Sequence, residues 1–143
     1  MRFVPYAAQE RESETDVFLG ITPAALKLSA QDEGGISVTW IEYFGLYSLG
    51  SKTSAATAIR NAFPSKKIGK KSVFACAEVG MVVAIGNNFH KKLRVVHDPV
   101  TNNSGHAEIR HFTDGDISLL EYLSSAAFVD ISSYHELNLD KTV

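Results

Sequence analysis

Apolar and polar positions alternate unevenly along the chain, giving a first half of mixed helix and strand and a second half read mainly as strand. Arg2-Phe3-Val4 reads as a short strand. Pro5 confines it to a sheet edge or strand start, because proline cannot donate to a ladder. Residues 9–16 place acids at alternate positions (Glu10, Glu12, Glu14, Asp16) and read as an exposed loop, so residues 1–16 are expected to form a flexible N-terminal segment. Val17-Phe18-Leu19 is a brief apolar element. Thr22-Pro23 has the chemistry of a helix start, a hydroxyl cap followed by proline where its missing N–H costs nothing. That helix would carry Ala24, Ala25, Leu26 and Leu28 and end before Gly34, although Leu26-Lys27-Leu28 also fits strand alternation.

Ile36-Ser37-Val38-Thr39-Trp40 has strand composition, while Trp40, Ile41, Phe44 and Tyr47 fall at helical spacing. A clearer helix starts at Thr53 or Ser54, carries Ala55, Ala58, Ile59, Ala62 and Phe63 on one stripe, and is stopped by Pro64. Residues 72–79 and 81–85 read as short strands divided by Gly80. Residues 93–98 and 106–112 flank a loop of turn formers and are expected to pair as a hairpin. Asp114 or Asp116 caps a helix reaching Ala127, with Ile117, Leu120, Leu123 and Ala127 on one face. Residues 128–131 give a last strand before a polar tail. No repeat or linker divides the chain, which reads as one domain over residues 1–143. The expected fold is α+β, a mostly antiparallel sheet covered on one face by two or three helices.

Composition narrows the classes. With 45% hydrophobic and 21% charged residues the chain can build one core without staples. Its longest apolar stretch, Met81-Val82-Val83-Ala84-Ile85, is far short of the ~20 residues of a membrane helix, so no membrane contact is expected. The first residues lack a secretory apolar segment, and a cytoplasmic location is expected. The lone Cys76 excludes an intrachain disulfide and a cysteine-only zinc site, and its apolar neighbours make it a core thiol.

Net charge is −2, yet residues 60–94 hold eight basic groups against Glu78 alone, and the chain beyond them is acidic. Either the two halves of one fold complement each other, or the basic segment faces an anion. Lys66, Lys67, Lys70 and Lys71 around Gly69, with Arg60 before them, are the phosphate-binding candidates. Nucleic acid is a conceivable partner for residues 60–94, but the P-loop spacing is absent and no aromatic residue is interleaved with the lysines for base stacking.

Four of the five histidines lie between residues 90 and 111. His106-Ala107-Glu108 is the tripeptide that opens the site of zinc-dependent nucleoside deaminases, but the two thiolate ligands that chemistry needs are missing, and nothing is carried over. Strand parity places His106, Glu108 and Arg110 on one face. A metal would need His97 or Asp98 as third ligand and would sit near the repelling Arg110. Metal-free work would use His97 or His106 as general base with Glu108 orienting it, because imidazole exchanges protons near neutrality. Ser104, in the hairpin loop, lacks a nucleophile-elbow context. A solvated ladder of complementary charge explains the same residues.

The aromatic group Trp40, Tyr43, Phe44 and Tyr47 is either a core stripe or, where exposed, a partner-binding patch. Two readings of function follow. In the first the chain is an interaction or accessory module that engages a protein partner or a second copy through Trp40, Phe44 and Tyr47. In the second it is a small hydrolase or transferase with His97, His106 and Glu108 at its centre and the lysines holding a phosphate-containing or other anionic substrate. Neither needs a cofactor. No complete catalytic signature is present, which tips the balance to the first. Convergence of the three side chains, or exposure of Trp40, separates them.

Overall fold

The computed structural model describes residues 1–28, 35–65 and 68–141. Among them the chain forms β1 (Arg2–Val4), a 3-10 turn (Tyr6–Ala8), β2 (Gln9–Arg11), β3 (Phe18–Ile21), a second 3-10 turn (Pro23–Leu26), β4 (Gly35–Thr39) and a third 3-10 turn (Ile41–Phe44). α1 (Leu49–Ala62), β5 (Val73–Cys76), α2 (Val79–Asn88), β6 (Arg94–His97) and β7 (His106–Arg110) follow. α3 (Ile117–Tyr122) widens into a π turn over Leu123–Ala127 before β8 (Asp130–Ser133). The fold is α+β, with antiparallel strands in three small sheets ordered β1-β5-β8, β2-β3 and β4-β7-β6.

β5 organises the interior. All four of its residues are buried, and their alternation feeds two cores. Val73 and Ala75 face a cluster with Leu26, Ile36, Val82, Ile109 and Leu123. Phe74 and Cys76 face another with Ile41, Ala55, Ile59, Leu137 and Leu139. The second core reaches the end of the chain, where Leu137 and Leu139 are buried inside what the sequence presents as a polar tail. β1, followed directly by Pro5, lies at the edge of its sheet, where a proline is tolerated.

Several elements differ from expectation for identifiable reasons. Residues 81–85 are helical because the run belongs to a longer pattern. Val82, Ile85 and Gly86 are buried and Phe89 packs behind them, whereas Val79 and Met81 are exposed. α1 begins at Leu49 because Ser48 and Ser51 cap each other: the Ser51 N–H donates to Ser48 Oγ at 3.2 Å, and the Ser48 N–H to Ser51 Oγ at 2.9 Å. Within the segment read as an exposed loop, Gln9–Arg11 is a strand paired with β3, and the Gln9 side chain donates to the Lys71 carbonyl at 2.8 Å. Thr22-Pro23 opens only a single turn: Lys27 is extended and Leu28 is not helical, and residues 29–33, where the expected helix would continue, lie outside those described. No helix among the described residues is long and apolar enough to cross a membrane.

Candidate functional site

The β4-β7-β6 sheet carries the site. β7 is its central strand, paired on both sides. Side chains alternate across a strand, and residues directly opposite one another share a face. Ser37 and Thr39 of β4 stand opposite Glu108 and His106 on one face, with Val96 of β6 also opposite Glu108. Val38 stands opposite Ala107 on the other face, and His97 opposite Ala107 from the β6 side. The sheet thus has a polar face and an apolar face, each bordered by a cavity.

The cavity on the apolar side has a volume of about 980 Å³. Its lining includes Val38, Ala107 and Ile109 of the sheet, Val82 of α2 and Phe128. Its mouth carries apolar groups that the fold leaves in water: Trp40 is 44% exposed, Tyr47 53%, Met81 48% and Val129 62%. Glu42 and Glu78, both exposed, add negative charge. Asp130 sits beside them with Lys52 Nζ at 2.8 and 2.9 Å, and the Tyr47 hydroxyl donates to the same carboxylate. Burial pushes the Asp130 carboxyl above its ordinary value, against the pull of the Met1 ammonium. That ammonium donates to the Thr39 carbonyl at 2.7 Å, and burial lowers its pKa. Burial likewise raises the Cys76 thiol, so at neutral pH it is a protonated core group rather than a nucleophile.

A cavity of about 490 Å³ borders the polar face and is lined by Arg2, Phe3, Lys27, Ser37, Phe63 and His106 among others. His106 is 4% exposed. Its Nδ1 lies 2.6 Å from the Asp98 carbonyl, which can only accept, so Nδ1 carries a proton. Nε2 lies 3.2 Å from Ser37 Oγ. Arg2 donates from Nη1 to the Ser37 carbonyl at 2.7 Å and from Nε to the Ala25 carbonyl at 3.1 Å.

The structure does not bring the three catalytic candidates together. His97 stands on the opposite face of the sheet from His106 and Glu108 because its register partner is Ala107. It accompanies the aromatic segment instead, with its ring 5.8 Å from Tyr43 and 6.4 Å from Trp40. Glu108 accepts from Arg110 Nε at 2.8 Å, and Asp98 lies 3.6 Å from Arg110 Nη2. Among the described residues no three His, Cys, Asp or Glu side chains converge as metal ligands.

Of the aromatic candidates, Trp40 and Tyr47 line the larger cavity, but Phe44 packs against the second core and over Gly105. A Cβ at Gly105 would come within 2.7 Å of the Phe44 ring. The stripe, whose spacing left helix and strand open, is a single 3-10 turn, ended at Gly45, whose φ of 131° is readily adopted only by glycine. Among the basic candidates, Lys70 pairs with Asp140 at 3.6 Å, Lys71 with Asp16 at 3.2 Å, and Arg60 donates to the Leu139 carbonyl at 2.9 Å. Lys66 and Lys67 lie outside the described residues. Acids from both ends of the chain therefore meet this basic segment.

Ser37 and Asp130 are the residues that sequence reasoning missed. Ser37 meets His106 across 69 residues, and Asp130 meets Lys52 across 78, separations that local spacing does not register. Comparison with protein-family models, curated protein sequences and solved structures finds no match. Function is accordingly argued from geometry.

Proposed function

We propose that this protein is an interaction module that takes an apolar segment of a protein partner into the cavity between Trp40, Met81 and Val129. The observation that carries this reading is the set of large apolar side chains left in water at the mouth of an apolar-lined cavity of about 980 Å³. Leaving such groups exposed together is unfavourable by roughly 25 cal/mol per Å² of apolar surface, and a partner that covers them recovers that free energy. Aromatic residues at the rim suit the role, because they bury much area for few lost rotamers. Exposed Glu42 and Glu78 favour a segment whose apolar anchors are flanked by lysine or arginine. A cytoplasmic setting, in which Cys76 stays a thiol, belongs to the same reading. Nucleic-acid contact through residues 60–94 draws no support from lysines already paired with acids.

Trp40 is the only tryptophan in the chain, so its emission reports on the rim alone. The test is titration with a labelled amphipathic peptide of leucine and lysine, read by anisotropy and by Trp40 emission, beside a leucine–glutamate peptide of the same length. Saturable binding of the lysine peptide, weakened at least about tenfold by Val129→Glu, is expected. Absence of binding to the unaltered protein overturns the reading, as does binding that Val129→Glu leaves unchanged. Concentration-dependent dimerisation abolished by the same substitution would assign the surface to a second copy instead.

A further inference from the structure

We infer that Ser37 and His106 form a nucleophile–base pair for acyl transfer, in a site on the sheet face opposite the interaction groove. Four observations converge. His106 Nε2 lies 3.2 Å from Ser37 Oγ, within reach of the hydroxyl proton. The Asp98 carbonyl, 2.6 Å from Nδ1, fixes the tautomer in which Nε2 is the free acceptor, the role a third group plays in every such pair. Both side chains line one cavity of about 490 Å³, large enough for a small acyl group and its leaving group. Arg2 donates to the Ser37 carbonyl at 2.7 Å, which fixes the backbone that carries the nucleophile.

The site suits a carboxylic ester with a short apolar acyl chain. Phe3, Ile59 and Phe63 supply apolar wall, while Lys27 favours a substrate carrying negative charge away from the scissile bond. Ser37 Oγ forms a bond to the carbonyl carbon as its proton passes to His106 Nε2. The tetrahedral intermediate then collapses, its C–O bond to the alcohol breaks, and the departing oxygen takes that proton from His106. Water adds to the acyl-serine by the same route, giving its proton to His106, and the carboxylic acid leaves as Ser37 recovers its hydrogen. Water is the one co-reactant, and neither a metal nor a redox partner enters the balance. The glutamate expected to orient His106 is not required, since the Asp98 carbonyl does so.

p-Nitrophenyl butyrate is the probe, with peptide mass spectrometry to locate the acyl group and diisopropyl fluorophosphate as an independent label. A stoichiometric burst of p-nitrophenolate is expected, together with a butyryl or diisopropylphosphoryl adduct on the peptide containing Ser37. Ser37→Ala and His106→Gln should each reduce turnover at least about 100-fold. Ser37→Cys, which keeps the size and the bond to imidazole, should still form the butyryl adduct, now as a thioester at residue 37. Leu46→Ala, at an exposed residue that lines neither cavity, should leave the burst unchanged. The burst and the peptide titration are separate readouts, so this inference and the interaction reading fail separately. Adducts confined to other residues, or turnover equal in Ser37→Ala and the unaltered protein, overturn the assignment. So does a Ser37→Cys protein that is folded by circular dichroism yet acquires no adduct at residue 37.

Discussion

Lys52 and Asp130 meet across 78 residues of chain, with the lysine ammonium 2.9 and 2.8 Å from the two carboxylate oxygens. The same ammonium lies 5.0 Å from the centre of the Tyr47 ring, whose hydroxyl donates to Asp130. The aromatic segment and α1, which follow one another in the chain, are thereby tied to the distant β8 at the mouth of the larger cavity. The Lys52 side chain is 13% exposed, so water screens this pair less than it screens the lysine pairs elsewhere on the surface. Lys52→Ala is expected to lower stability by about 1 kcal/mol, because the Asp130 side chain is still 43% exposed, in urea unfolding followed by circular dichroism. An unchanged midpoint would mean that the pair holds nothing in place.

Two glycines of one helix should respond in opposite directions. At Gly86 a Cβ would come within 2.6 Å of Leu93 Cγ and 2.9 Å of the Lys91 carbonyl oxygen, so Gly86→Ala should destabilise by about 1–3 kcal/mol through overpacking. At Gly80 nothing lies within 4 Å of the added atom. Gly80→Ala should stabilise by up to about 1 kcal/mol through helix propensity. Thermal melts of the two variants, side by side, check the difference in sign.

The reciprocal cap at the start of α1 makes a local prediction. Ser48→Ala removes the acceptor of the Ser51 N–H and should cost about 1 kcal/mol. Ser48→Asp, which retains an acceptor and adds negative charge at the positive end of the helix, should restore it. Equal urea midpoints for the alanine and aspartate variants would remove the cap from the account of α1.

The carboxylate of Asp116 gives a pH signature. The Thr113 N–H, which donates to it at 2.7 Å, and Lys91, 3.0 Å away, hold its pKa below the ordinary 3.8. A carboxyl depressed in the folded state stabilises the fold above the unfolded pKa and loses that contribution as pH falls through the folded value. The stability gap between the unaltered protein and Asp116→Asn should therefore be full at neutral pH and close below about pH 3.8. A gap that stays constant down to acid unfolding would rule out this charge as its source.

Burial at the centre of the second core should dominate all of these effects. Phe74 is fully buried, with its ring centre 5.9 Å from that of Phe3. Phe74→Ala is expected to cost about 3–5 kcal/mol by equilibrium unfolding, more than any substitution at the groove mouth. A cost below that of Ser48→Ala would show that this core collapses around the deletion.

What the sequence reveals depends on the range of the interaction. The β6–β7 hairpin is legible because apolar alternation and a loop of turn formers are both local signals, and parity then assigns His106 and Glu108 to one face correctly. α1 is legible from its alanine stripe, and its true start lies in the spacing of Ser48 and Ser51. The five apolar residues from Met81 to Ile85 fit strand and helix equally, and only their extension to Gly86 and Phe89 shows the helical period. Trp40 and Tyr47 stand out by composition, but whether an aromatic side chain is buried depends on what packs above it. Phe44 is half-buried against the second core and Trp40 is exposed. The Ser37–His106 contact has no local trace, since β4 and β7 become neighbours only when the chain folds.

The placement of β7 between two partner strands also fixes which chemistry faces which cavity. Adjacent residues stand on opposite faces: His106 and Glu108 on one, Ala107 and Ile109 on the other. A slip of one residue along β4 would exchange them, turning an imidazole and a carboxylate toward the apolar groove and two aliphatic side chains toward Ser37. Hydrogen-bonding register, rather than any single side chain, is what keeps the two compartments chemically distinct.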